Sequence, residues 1–335
     1  MEVFKADLAL REFSLKCLGV RKEKSYYICR TDKGMKNLRP ASVPPPRLLF
    51  ANNVQEALYN TGFNRAERFY PAINGDPYIL YDGTYYIAAD FYPEMRETDF
   101  SDKADVLRAT ASLAKMHSAL RQCGKSLAEF SYDNPEDDNA PDSLFKQNAS
   151  ELNSFKRIVR RQPRLSDFDV MFLKNADFYD CELSAWRNAV NGADYKYALR
   201  VAAENGYICH NLLQEESVLT DGKRNFIVNF SMCATDHFIN DLSSVIKRHA
   251  KKAAHGEAAP IGEIIEAYIK HNALTDAEIN ALYAPIIFPD KFLSLCQKYY
   301  AKKRTWTPAA LMTKMKELTD DKEYLKRYVE DFFKN

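Results

Sequence analysis

The rhythm of apolar and polar positions changes partway along this chain. Before residue 93, short runs of β-formers alternate with turn signals. "SYYICRT" (25–31) stops at Asp32-Lys33-Gly34 and "MKNLRP" (35–40) returns, which predicts a hairpin. Three prolines, Pro44 to Pro46, open a segment whose Leu48, Leu49, Val54, Leu58 and Tyr59 fit a helix ending at Gly62. "ERFYPAI" (67–73), "PYILYDG" (77–83) and "TYYIAADFY" (84–92) then predict three short strands, with turns at Asn74-Gly75 and Asp82-Gly83. Two strands, a helix and three strands predict a small antiparallel sheet with one helix packed on it.

After Pro93 the spacing becomes helical. "DKADVLRATASLAKMHSAL" (102–120), "ELNSFKRIVRRQ" (151–162), "DFDVMFLKNADFYDCELSAWRNAV" (167–190) and "DYKYALRVAAEN" (194–205) carry apolar residues at helical intervals. Gly, Pro, Asn and acidic residues between Cys123 and Asp142 predict a surface loop or insertion, spanning about residues 121–150. The tail is helical from "NDLSSVIKRHAKKAAHG" (240–256) onward, punctuated near Pro260, Pro285, Pro289 and Pro308. The predicted class is α+β: a β-rich lobe over 1–92 and a larger helical lobe over 93–335.

Composition narrows the function classes. At 335 residues, 46% hydrophobic and 13% aromatic, the chain can bury two real cores. Lys+Arg 47 against Asp+Glu 46 leaves a net charge of +1, so no global field favours nucleic acid or an anionic membrane. "MEVFKADLALREF" alternates charge and apolar residues and lacks the pattern of a signal peptide. No apolar run nears the roughly 20 residues that span a bilayer. Cys17, Cys29, Cys123, Cys181, Cys209, Cys233 and Cys296 are scattered without a CxxC pair, as expected for reduced thiols in a chain made in the cytosol. His237, His249 and His255 with Cys233 do not make metal spacing. The basic runs "RIVRRQPR" and Lys302 to Arg304 read as solvated helix faces or docking patches. The 20 tyrosines read mainly as core and strand residues.

The candidate chemistry lies in "YICHNLLQEESVL" (207–219), where a short strand delivers His210 into a polar turn. About ten residues later "NFIVNFSMC" (225–233) is a β-run broken at Asn229-Phe230-Ser231. This order resembles the kinase-like fold of aminoglycoside and choline phosphotransferases. Within it, the chain is most similar to the spore coat protein S (CotS-type) family of endospore-forming bacteria. The resemblance rests on "YYICRTDKGMKNLRP", "LYNTGF", "NGDPYILYDGTYYIAADFYP", "LAKMHSAL" and "DHFINDLSSVIKR", and most specifically on "IIFPDKFLSLCQKYYAKKRTW".

The resemblance also implies where chemistry should sit. Such phosphotransferases use a His-x-Asp-x-x-x-x-Asn loop, an Asp-Phe element and a third-strand lysine, with Mg²⁺ held by oxygen ligands. With His210 at the start of the loop, Leu212 takes the Asp position, Ser217 the Asn position and Asn229 the metal-binding Asp position. Arg39 takes the lysine position, with Lys36 an alternative register. Leu212 has neither lone pair nor titratable proton, and a positioned base contributes about 10²–10⁴-fold. Asn229 offers a neutral oxygen where Mg²⁺ prefers an anion. Arg39 keeps the charge but not the point geometry of lysine. His210 is expected to be scaffold, Asp241 to anchor the loop, and Glu56 to pair with Arg39 beside a nucleotide pocket. Glu215, Glu216, Asp221 and Asp236 are the carboxylates that could restore catalysis from displaced positions. The expectation is a pseudokinase with no cofactor, made in the mother cell and docked among other spore coat proteins. ATP and Mg²⁺ would enter only if a displaced carboxylate worked, and ATP alone if the chain sensed nucleotide without metal.

Overall fold

The computed structural model describes residues 2–23, 25–131, 141–253, 257–301 and 308–334. They gather into two compact units. The first comprises Met1–Asp133, Val201–Val245 and Ile264–Ala273, and the second Asn134–Arg200, Ile246–Glu263 and Leu274–Asn335. Residue 92, where the sequence changes character, lies inside the first unit.

The first unit opens with two elements not expected from the sequence, α1 (Glu2–Glu12) and β1 (Cys17–Glu23). Ala6, Ala9, Leu10 and Phe13 recur at helical spacing and are buried in one cluster with Cys29, Leu38 and Ala88 of the sheet. The hairpin of β2 (Tyr26–Thr31) and β3 (Gly34–Pro40) is present, as is α2 (Pro45–Asn60), with Pro in its first turn. β4 (Ile79–Tyr81) and β5 (Thr84–Asp90) complete an antiparallel sheet of order β1-β2-β3-β5-β4.

"ERFYPAI" is not a strand. It makes one isolated bridge, Phe69 to Ala89, with Tyr70 N–H donating to Ala88 O, and Ala66 just before it bridges to Ile227. Pro71 has no N–H with which to continue a ladder.

β6 (Arg96–Glu97) leads to α3 (Lys103–Leu120), which Asp102 caps by accepting from Asp105 N–H. Within the segment read as a surface loop, α4 (Gly124–Ala128) and the first turns of α5 (Pro141–Arg160) are helical, and residues 132–140 lie outside the described residues. Gly124 is required where it sits: a Cβ there would lie 2.4 Å from Gly206 O, and Gly206 itself has φ +62°.

α6 (Asp167–Asn191) is closed by a Ser166–Asp169 capping box, and α7 (Ala193–Asn205) runs to the candidate loop. There β7 (Ile208–Cys209) pairs with β10 (Ala234–Thr235), while β8 (Val218–Thr220) pairs with both β6 and β9 (Asn225–Ile227).

The tail is helical, as the punctuation predicts. α8 (Ile239–Lys252), α9 (Ile261–Ile269), α10 (Asp276–Ala281) and α11 (Tyr283–Ile287) precede α12 (Asp290–Tyr300), α13 (Pro308–Asp320) and α14 (Lys322–Phe333). The second unit packs around aromatic rings: Phe168 stacks on Tyr299 at 3.9 Å and Tyr179 on Phe292 at 3.8 Å. Tyr179, Tyr207 and Tyr268 are buried, while Tyr299 and Tyr300 are partly buried against the core. Lys302 to Trp306 and His255 lie outside the described residues. None of the described helices is long and apolar enough to cross a membrane, and the seven cysteines are free.

Candidate active site

β7 ends at Cys209 and delivers His210 into a turn whose next residue, Asn211, has φ 61°. Asp241, in the first turn of α8, holds this bend from below. Its Oδ2 accepts from His210 N–H at 2.6 Å and its Oδ1 from Asn211 N–H at 2.9 Å. Its Oδ2 also lies 3.1 Å from His117 Nε2 on α3. His117 Nδ1 lies 2.7 Å from Tyr268 OH, which accepts from Asn272 Nδ2. Tyr268 therefore donates to Nδ1, and Nε2–H donates to the carboxylate.

His117, His210 and Asp241 are all buried. Burial pushes the His117 pKa down, against the pull of Asp241. Burial alone would raise Asp241, but the hydrogen bonds from His117 and from His210 N–H hold it below the usual carboxylate range. The assembly is a neutral imidazole serving a carboxylate that fastens the loop backbone.

His210 has no path to solvent. Its Nδ1 accepts from Leu212 N–H at 3.3 Å and its Nε2–H donates to Val228 O at 2.8 Å. Phe230 packs edge-on to its ring at 5.0 Å. Burial also lowers the His210 pKa. Every ring atom that could do acid–base work is spent on backbone.

The chemically telling positions lie above this anchor. Ser217, in a short 3₁₀ turn, donates from Oγ to Leu212 O at 2.5 Å, and its own carbonyl accepts from Val228 N–H. Asn229 sits in the left-handed region at φ 70°, ψ 45°, which Asn tolerates. Its Nδ2 donates to Glu216 O at 3.2 Å and its N–H to Glu67 Oε2 at 3.0 Å.

Glu67 is the residue that sequence reasoning missed. It is buried and forms a two-pronged ion pair with Arg39: Nη1 to Oε1 at 2.7 Å and Nη2 to Oε2 at 2.9 Å. The expected Arg39–Glu56 pair does not form. Glu56 points outward and is paired bidentately with Arg68, at 2.9 and 2.6 Å. Helix α2 is thus not the source of the acid. Glu67 comes from a segment tied to the loop by backbone, with its N–H on Ile227 O and Ile227 N–H on Arg65 O. Lys36 is turned away from this group: it pairs with Asp90 and lies 5.0 Å from the Tyr70 ring. Arg39, not Lys36, is the strand cation beside Asn229.

The displaced carboxylates are differently placed. Asp221 forms the β8–β9 turn, accepting from Lys223 and Arg224 N–H, which pull its pKa down to about 2. Asp236 is raised by burial while its side chain accepts from His237 N–H. Glu215 and Glu216 sit in the 3₁₀ turn, and Glu216 is exposed. One buried group, His117, Cys209 and Asp241, has metal-type atoms within 4.8 Å of one another. Cys209 Sγ lies 3.0 Å from His237 O, and the His117 imidazole and Asp241 carboxylate are already bonded to each other and to the loop backbone.

A family described as "Spore coat putative kinase YutH" matches residues 8–332. The chain belongs to this family. The sequence resemblance to spore coat and phosphotransferase-like proteins is thereby borne out. Solved structures agree on the fold. The chain is similar to an aminoglycoside phosphotransferase from Alicyclobacillus acidocaldarius, with TM-score 0.79 and 14% identity over 97% of this chain and 94% of that one. It is similar to a spectinomycin phosphotransferase solved with ADP and spectinomycin, with TM-score 0.68 and 9% identity over 98% of each chain. An amicoumacin kinase solved with AMP-PNP and Ca²⁺ gives TM-score 0.56 and 13% identity over 95% and 88%. Identities this low establish the shared two-lobed α+β kinase-like fold and nothing finer. No protein with a curated description matches significantly.

The fold family implies Mg²⁺·ATP, and the positions that the resemblance assigns to the metal carry no anion. Position 217 is a hydroxyl already donating to Leu212 O, and position 229 a neutral amide bound to the loop. The two buried acids near them, Glu67 and Asp241, are engaged by Arg39 and by the loop backbone.

Proposed function

We propose that the chain is a spore coat component in which the phosphotransferase fold serves as a docking protein and no longer transfers phosphate. One observation carries this reading: Leu212, at the base position, offers only its backbone, and Ser217 closes over that backbone. A leucine side chain cannot orient an acceptor hydroxyl. Asn229, bonded to Glu216 O, adds no anion for a metal. The family description supports the coat as destination, and other coat proteins are the proposed partners. The expected assay result is no Mg²⁺-dependent transfer from ATP to the protein itself, choline, aminoglycosides or sugars. Turnover that vanishes on changing Glu215, Glu216 or Asp236 would overturn the reading.

A second reading draws on Glu216. Its carbonyl is the partner of Asn229 Nδ2 and its side chain is exposed, so a free-standing carboxylate belongs to a residue bonded to Asn229. This favours a phosphotransferase acting on a small hydroxyl or amine substrate through a displaced acid. Loss of Mg²⁺-dependent turnover in Glu216→Gln alone would select it.

A further inference from the structure

A cavity of about 200 Å³ opens in the first unit on the far side of segment 66–68 from Asn229. Ala66 and Arg68 line it, while Glu67 between them turns the other way, to Arg39 and Asn229. Extended chain alternates its side chains in this manner. The cavity is therefore distinct from the candidate active site.

Its wall contains an unmet donor. Gln55 of α2 is fully buried, and its Oε1 accepts from Phe69 N–H at 3.0 Å, which fixes the amide orientation. Nε2 then carries the N–H groups, and it has no hydrogen-bond partner among the described residues. A buried donor left unpaired is costly, and a ligand oxygen that meets it gains accordingly. Tyr59, Phe63 and Tyr92 supply ring surfaces around the same space, which suits a flat guest.

The charges in the wall are already matched. Arg68 is held by Glu56 and lies 4.1 Å over the Tyr59 ring, while Asp90 is held by Lys36. A charged guest would bring an uncompensated charge, whereas a neutral one would not. We propose that this cavity binds a small, uncharged planar ring bearing a carbonyl acceptor, with Gln55 Nε2–H as its donor. An aromatic carboxamide is the simplest member of the class.

The test uses benzamide as probe, followed by saturation-transfer NMR on the full chain at millimolar concentration. Benzamide should bind the wild type, and affinity should fall about tenfold or more in Gln55→Met. Because that change also removes the acceptor for Phe69 N–H, Ala66→Leu serves as a second variant that fills the space and leaves Gln55 intact. It should abolish binding. Toluene, which lacks the acceptor and is uncharged, and benzoate, which adds a charge, should both bind more weakly than benzamide. No binding by the wild type, or binding that survives both variants, overturns the proposal, with ordered water as the partner of Gln55. Benzoate binding as tightly as benzamide overturns the assignment of an uncharged guest.

Discussion

The underside and the mouth of the candidate loop differ sharply. Below, His117, Asp241 and His210 are buried, fully hydrogen-bonded and mutually consistent in protonation. Above, Leu212, Ser217 and Asn229 stand where the resemblance places a base and metal ligands; Leu212 N–H donates to the His210 ring, and the Ser217 and Asn229 side chains donate to backbone carbonyls. The underside needs its polar groups because an unpaired charge there would be ruinous. The mouth has no such constraint, so on the proposed reading its acids can go while the fold stays. A kinase-like fold therefore divides into a part that stability demands and a part that only chemistry demands.

The largest expected effect breaks the underside. Asp241→Ala leaves two backbone N–H groups and His117 without a buried partner, and should cost about 3–5 kcal/mol in urea unfolding. A cost under about 1 kcal/mol would mean that the anchor is not structural. Next comes Glu67→Gln, which should cost about 1–3 kcal/mol, because it weakens a buried ion pair while leaving an acceptor for Asn229 N–H. Faster amide exchange at Asn229 should accompany it.

Acidification probes the same anchor. Burial holds His117 and His210 below their ordinary value of 6.5, so the unfolded chain takes up protons that the folded chain refuses. Stability from this source is complete above about pH 6.5 and is lost as pH falls through that value toward the lower folded ones. Urea midpoints measured from about pH 8 to about pH 5 should fall accordingly, and His117→Gln should flatten the slope. The smallest effect is expected at Glu56→Gln. Its pair with Arg68 is well exposed, and the loss should stay below about 1 kcal/mol. If Glu56→Gln proved costlier than Glu67→Gln, the ion-pair assignment would be reversed.

Much of this was legible in the sequence because it is local. The hairpin of β2 and β3, α2 with its prolines, and the loop from His210 to Ser217 follow from turn residues and spacing. The spacing of Ala6, Ala9, Leu10 and Phe13 also carried α1, but charge alternation across the same residues masked it. Glu67 was not legible. Its partner Arg39 is 28 residues away, and the sequence offers Glu56 and Glu67 on equal terms. Only the bridge between Ala66 and Ile227 decides between them. The same limit hid His117, whose partners Asp241 and Tyr268 lie 124 and 151 residues away.

The most direct test of an inert mouth on an intact anchor is the melting temperature with ATP, with and without Mg²⁺. A ligand bound only by the folded state stabilises it by about 2.7 kcal/mol at a hundredfold excess over Kd, so binding is easily seen. The wild type should show no Mg²⁺-dependent shift. Asn229→Asp should gain a modest one, and the combination with Leu212→Asp and Ser217→Asn a larger one. A strong Mg²⁺-dependent shift in the wild type would contradict the account.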